Sequence, residues 1–188
     1  MLTVAEYLEQ DFASETKLEY YHGQIVALAG ASREHNLICG NLIGELRSAL
    51  RGRPCEVYTA DQKVKTITGA YFYPDVSVGC DPQFEKARHD ILLNPVIVIE
   101  VLSPTTEARD RGFKFEQYRS ISSLKEILFV AQDRRCIDRY TRQPEGWLLT
   151  TFSQEETQLA LFSLGISLSL DEIYLRVLFP EQPQLVLN

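Results

Sequence analysis

The stretch Pro95 to Leu102, PVIVIEVL, is apolar at every position but one. Near-continuous Val and Ile over this length suit a strand buried on both faces, at the centre of a sheet rather than at its rim. The exception, Glu100, therefore constrains the chain more than any other residue. An ionised carboxylate in an apolar environment must be compensated or neutralised, so Glu100 calls for a partner from elsewhere in the fold. The plainer alternative places Glu100 at the strand end, where Ser103-Pro104 turn the chain and the acid meets solvent or a structural Arg.

Around this strand the pattern alternates helices and strands. Leu2 to Phe12 reads as a first helix, with Thr3 as N-cap and Glu6 at capping-box spacing. Lys17 to Ala29 reads as a hairpin turning at His22-Gly23. From Ser32 to a stop at Gly52, Ile38, Leu42, Leu46, Ala49 and Leu50 share one helical face. Gly40 and Gly44 on that helix would let another backbone approach. Strands are expected over Glu56 to Val64, Tyr73 to Val78 and Pro95 to Leu102, a helix over Thr106 to Ile121, and strands over Ile127 to Val130, Cys136 to Thr141 and Trp147 to Phe152. The order predicts an α/β (α+β) fold, a mixed sheet flanked by helices. The segment 150–188 should complete the sheet, cover an edge, or form a homodimer contact through its exposed Leu, Phe and Val.

The chain has 188 residues, 45% of them hydrophobic, enough for one core without a disulfide or structural metal, so a single domain over 1–188 is expected. Cys39, Cys55, Cys80 and Cys136 lack paired metal-ligand spacing and disulfide-scaffold density, and read as reduced, mostly buried thiols. Apolar runs such as Ile127 to Ala131 are far short of the roughly 20 residues of a membrane span. Acids break up the N-terminus where a secretory signal would be apolar, so a cytoplasmic location is expected. The net charge of −7 argues against general adhesion to polyphosphate or anionic membranes. Most of that charge lies beyond Thr150, so a nucleic-acid surface belongs in the first 149 residues.

Asp75, after Pro74 in YFYPDVSV, begins a second strand. Asp after Pro is ordinary turn chemistry, but two acids held on neighbouring strands can present oxygens to a hard cation such as Mg²⁺. Lys114, in RDRGFKFEQYRS, lies on a helix that can fold back over the sheet, and gains meaning only beside those carboxylates. Arg47, Arg51, Arg53, Lys63, Lys65, Arg109 and Arg111 could position flanking phosphates or simply be solvated.

These residues carry a resemblance. PDVSV, then PVIVIEVLSPTTEARDRGFKFEQYRSI, then EILFV, extended upstream through LEYYHGQIVALAG and the SREHNLI helix, resemble the Uma-two type of bacterial protein. That family is assigned to the restriction-endonuclease-like PD-(D/E)xK superfamily, and the likeness covers most of residues 1 to 150. It implies a restriction-endonuclease-like core and an endonuclease that leaves a 5′-phosphate and a 3′-hydroxyl. In the general superfamily pattern a Lys follows the second acid by two residues. Here that position is Leu102, and the resemblance shifts the Lys to the following helix, at Lys114. It also marks Glu19 as a third carboxylate near the metal and His35 as a contact for the scissile phosphate, and it implies a homodimer.

The expected mechanism has Asp75 and Glu100, with Glu19, holding one or two Mg²⁺ ions, with Mn²⁺ as a substitute. Lys114 would orient the attacking water and offset charge on the transition state. On this view Glu100→Gln and Lys114→Ala abolish DNA cleavage and change stability by only about 1–2 kcal/mol. The competing classes are a DNA-binding or protein-interaction module on the same fold without turnover, and a hydrolase of another phosphoester. A serine hydrolase is disfavoured, since no G-x-S-x-G elbow occurs.

Overall fold

A computed structural model describes residues 1–86 and 88–180. The chain opens with α1 (Val4–Ala13), the hairpin β1 (Leu18–Tyr21) and β2 (Gln24–Ala27), and the long helix α2 (Arg33–Ala49). Seven strands follow: β3 (Cys55–Thr59), β4 (Lys63–Lys65), β5 (Tyr71–Phe72), β6 (Val76–Cys80), β7 (Phe84–Glu85), β8 (Arg88–Leu92) and β9 (Pro95–Leu102). A broken helical crossover comprises α3 (Glu107–Arg109), a π-helical turn over Asp110–Lys114 and α4 (Phe115–Tyr118). The chain continues through β10 (Glu126–Ala131), β11 (Ile137–Gln143), β12 (Gly146–Phe152), β13 (Gln158–Leu161), β14 (Ile166–Ser169) and α5 (Leu170–Ile173).

The capping box at Thr3 and Glu6 forms as the residues predict, each side chain meeting the other's backbone N–H. The β1–β2 hairpin turns at His22 and Gly23, both at positive φ, the geometry that matches a two-residue turn to strand twist. Ser32 caps α2 by accepting from the His35 N–H, and Ile38, Leu42, Leu46 and Leu50 are buried on its inner face. Gly40 and Gly44 lie on the exposed face, and among the described residues nothing stands within 4 Å of a would-be Cβ, so no described backbone makes the close approach expected there.

The main sheet has the order β12-β11-β10-β9-β6-β3 and places PVIVIEVL near its centre. β9 pairs parallel with β10, which requires the helical crossover between them, and antiparallel with β6. The two-residue period of β9 divides the core. Ile97, Ile99 and Val101 join the cluster with α2, whereas Val98 and Leu102 join one with Tyr118, Ile121 and Leu124 of the crossover. Glu100 shares the face of Val98 and Leu102, so its partners must come from the crossover side.

A second sheet, β2-β1-β5-β4-β8-β7, was not apparent as a unit in the sequence. Its strands are short and come from three separated stretches, and the expected strand Glu56 to Val64 splits into β3 in the main sheet and β4 in this one. Among the described residues β13 and β14 pair only with each other and bury Leu159, Leu161 and Leu168 against the main core, neither extending the main sheet nor pairing with its edge. The remainder of the proposed C-terminal contact, residues 181–188, lies outside the described residues.

Two cysteines depart from the expectation of reduced thiols. Cys55 and Cys80 stand opposite each other on antiparallel β3 and β6 and form a disulfide. Their separation of 25 residues does not disclose a cross-strand register, which is set only when the two strands pair. Cys39 and Cys136 are free and only partly buried.

Candidate active site

A cavity of about 700 Å³ opens at the C-terminal end of β9. Its wall includes His35 and Cys39 from the first turns of α2, Asp75 from the approach to β6, Glu100 from β9, and Arg109, Asp110 and Lys114 from the crossover. Glu100 is 3% exposed and has the partners its position demands. Lys114 Nζ lies 2.9 Å from Glu100 Oε1, and the Tyr118 hydroxyl donates to the same oxygen at 2.6 Å. Lys114 also reaches Glu19 Oε1 at 3.0 Å and Asp110 Oδ1 at 3.5 Å, so its ammonium joins three carboxylates.

The crossover can do this because Asp110, Lys114 and Tyr118 recur every four residues and therefore share one helical face. The π-helical turn that contains Gly112 interrupts the expected continuous helix at this point, a deviation common where side chains must be aimed at a site. Asp110 and Tyr118 were missed in the sequence, although this spacing from Lys114 is a signal that could have found them.

Glu19 is fully buried behind the cavity wall and is not part of its lining. One oxygen meets Lys114 and the Tyr73 N–H at 3.2 Å; the other meets Arg109 Nη1 at 2.5 Å. The acid expected as a third metal ligand thus holds two cations that face the cavity. Asp75 accepts from the Val101 N–H at 2.7 Å, which ties it to the edge of β9, and its Oδ2 lies 3.2 Å from His35 Nε2. Arg109 is at the site. Arg111 is held by Glu107 and Asp138 and does not line the cavity, so the structure does not bring this expected phosphate contact to the others.

The other basic candidates divide similarly. Lys63 is buried against Asp11 Oδ2 at 2.8 Å and Asp90 Oδ2 at 2.5 Å, Lys65 pairs with Glu85, and Arg53 donates to the Leu164 carbonyl. The Lys63 network is coupled to the site through Tyr73, whose hydroxyl donates to Asp11 while its N–H meets Glu19. Arg47 and Arg51 remain exposed on α2 and just beyond it.

The electrostatics are unbalanced. If all four were ionised, Glu19, Asp75, Glu100 and Asp110 would face two permanent cations, Lys114 and Arg109, and a protonated His35 would still leave one negative charge, which either a proton on a buried acid or a bound cation offsets. Burial pushes the Glu100 carboxyl well above the ordinary range; Lys114 pulls it back, and Asp110, Asp75 and Glu19 push it further up. Asp110 is raised by burial too, against the pull of Lys114 and a Thr106 hydrogen bond. Burial draws the Lys114 ammonium down, but Glu100, Glu19 and Asp110 outweigh it and hold it charged. For His35, burial lowers the imidazole and the Asp75 hydrogen bond and charge more than restore it, so it is net raised. Removing Lys114 would strand three buried acids, a change that costs about 3–5 kcal/mol rather than the mild effect expected from sequence.

Comparison with known proteins agrees with this architecture. A crystal structure of a putative nuclease belonging to DUF820 from Anabaena variabilis ATCC 29413 aligns at TM-score 0.76 and 17% identity, over 93% of this chain and 98% of that one, and so shares the fold. Two proteins of Synechocystis sp. (strain ATCC 27184 / PCC 6803 / Kazusa) are similar in sequence. The uncharacterized protein slr1290 is 39% identical over 92% of this chain and 91% of its own length, and sll1609 is 33% identical over 85% and 92%. The family model Uma2, described as putative restriction endonuclease, matches residues 4–171, and the chain belongs to that family.

Proposed function

We propose that the protein is a Mg²⁺-dependent nuclease that hydrolyses phosphodiester bonds of DNA in the cavity at the end of β9. The observation that carries this reading is the buried excess of carboxylates. A phosphodiester is an anion and would be repelled from four acids and two cations, unless a divalent cation reverses the sign of the site. Glu100 and Asp110, both raised by burial and by their neighbours, are the groups such an ion would relieve.

Asp75 and Glu100 are the residues that would hold the ion, which Mn²⁺ could replace, and it would polarise the phosphoryl oxygen and acidify a water. The chain's own residues do the rest. Glu19 holds Lys114 and Arg109 in place from behind the wall. Lys114, kept charged by its acids, offsets negative charge on the transition state. Arg109, about a third exposed at the cavity wall, contacts a phosphate. His35 orients Asp75 and, raised by it, presents positive charge towards the substrate.

Calorimetric titration of Mn²⁺ into the wild type, Asp75→Asn and Glu100→Gln tests this without a choice of substrate. Binding to the wild type that is lost in both variants supports the site, and cleavage of DNA against RNA and simple phosphoesters then resolves the substrate. No Mn²⁺ binding to the wild type, with or without added DNA, overturns the nuclease in favour of a binding module without turnover.

A further inference from the structure

A second group of ligands stands on the α2 side of the same cavity. His35 and Cys39 are four residues apart on α2 and so point to one face. Asp75 approaches that face from the loop before β6. Candidate ligand atoms, one from each residue, lie within 4.8 Å of one another; His35 Nε2 is 3.2 Å from Asp75 Oδ2 and the opposite ring nitrogen, Nδ1, is 3.6 Å from Cys39 Sγ, so only one of these two contacts involves the nitrogen that would bind a shared ion. Ligands bonded to one ion at about 2.0–2.3 Å stand about 3.2–3.8 Å apart in a tetrahedron, so a spacing of up to 4.8 Å closes on a metal with side-chain movements of about 1–1.6 Å. All three line the cavity, which leaves a fourth position open to a water or a ligand.

The chemistry of the donors sets this group apart from the carboxylates around Lys114. Oxygen ligands suit Mg²⁺, whereas a thiolate with an imidazole selects a softer ion. The geometry points to a zinc(II) site formed by His35, Cys39 and Asp75. Burial pushes the Cys39 thiol up, and coordination is what would release its proton, to solvent, as the sulfur–metal bond forms. Asp75 would be common to this site and to the proposed magnesium site, so bound zinc would take a ligand from the latter and hold the enzyme inactive. That regulatory consequence rests on the nuclease reading; the zinc site does not.

Cobalt(II), which reports thiolate ligation by a charge-transfer absorption, separates the two. The full chain titrated with Co²⁺ should develop that band to one equivalent, and Zn²⁺ should bleach it. Cys39→Ser and Cys39→Ala should lose the band, and His35→Gln should weaken binding by at least about ten-fold. Cys136→Ser and Glu100→Gln should keep it. Circular dichroism of the two Cys39 variants, of which one folded form suffices, excludes unfolding as the cause. No band in the wild type, a band that survives in Cys39→Ser, or one that disappears in Glu100→Gln overturns the assignment. A band without Mn²⁺ binding supports the zinc site while removing the nuclease reading.

Discussion

Two charge networks, each centred on a buried lysine, lie side by side in this protein and share Tyr73, yet they are built to opposite ends. Around Lys63, two acids (Asp11 and Asp90) face two cations, since Arg88 Nε stands 3.7 Å from Asp90. Asp11 is further satisfied by the Leu18 N–H at 2.9 Å and the Tyr73 hydroxyl at 2.7 Å, and the assembly ties α1 to the second sheet. Around Lys114, four acids face two cations beside an open cavity. A balanced, fully bonded network holds structure; an unbalanced one leaves charge for a ligand to complete.

The sharpest test of that contrast is the same chemical change made on each side. In metal-free protein Asp11→Asn should cost about 3–5 kcal/mol, because it strips a paired acid from a buried cation. Glu100→Gln should cost less than about 1 kcal/mol or stabilise, because it removes a repelled acid. Urea unfolding in the presence of a chelator measures both, and equal losses would dissolve the distinction.

Activity should invert the order. Glu100→Gln should lower DNA cleavage by on the order of 10²–10³-fold, while folded Asp11→Asn stays within about ten-fold of wild type. Single-turnover cleavage at saturating Mg²⁺ is the measurement, and a comparable loss in both variants would mean that the Lys63 network belongs to the site.

Metal should act on one network only. Mn²⁺ at about 100 times its dissociation constant should raise wild-type stability by about 2.7 kcal/mol. Asp11→Asn should keep that gain and Glu100→Gln should lose it, as read by thermal denaturation with and without the ion.

The smallest effect is in pH. Glu100 and Asp110 hold protons in the native chain at pH values where an unfolded chain has released them. The native state then binds more protons, so their contribution is full below the ordinary carboxylate range and declines as pH rises through the raised values. Metal-free wild type should therefore lose stability across that span, and Glu100→Gln should show a shallower slope. A rise in wild-type stability over the same range would show that the carboxylates are compensated without a metal.

Much of this was legible in local pattern. The capped first helix, the His22-Gly23 hairpin, the inner face of α2 and the central strand each rest on a propensity or a periodicity within some twenty residues. The need of Glu100 for a partner was legible for the same reason, since burial follows from its neighbours in the strand. What stayed hidden depends on contacts between distant segments. The second sheet joins two- to five-residue strands that carry no period of their own. The Cys55–Cys80 bond depends on register, and Lys63, open in sequence between a phosphate contact and a solvated side chain, is neither, being buried between two acids.

The amino-acid sequence by itself determined the family, the central strand and the need of Glu100 for a partner. Tertiary structure alone decided that Glu19 stands behind the wall and holds Lys114 and Arg109, that Arg111 is spent on Glu107 and Asp138, and that His35 and Cys39 meet Asp75. The physical reason is that propensity and burial are properties of a short stretch of chain. Charge balance is a property of the space in which several stretches converge, and the sign of this cavity exists only once β9, α2 and the crossover have closed around it.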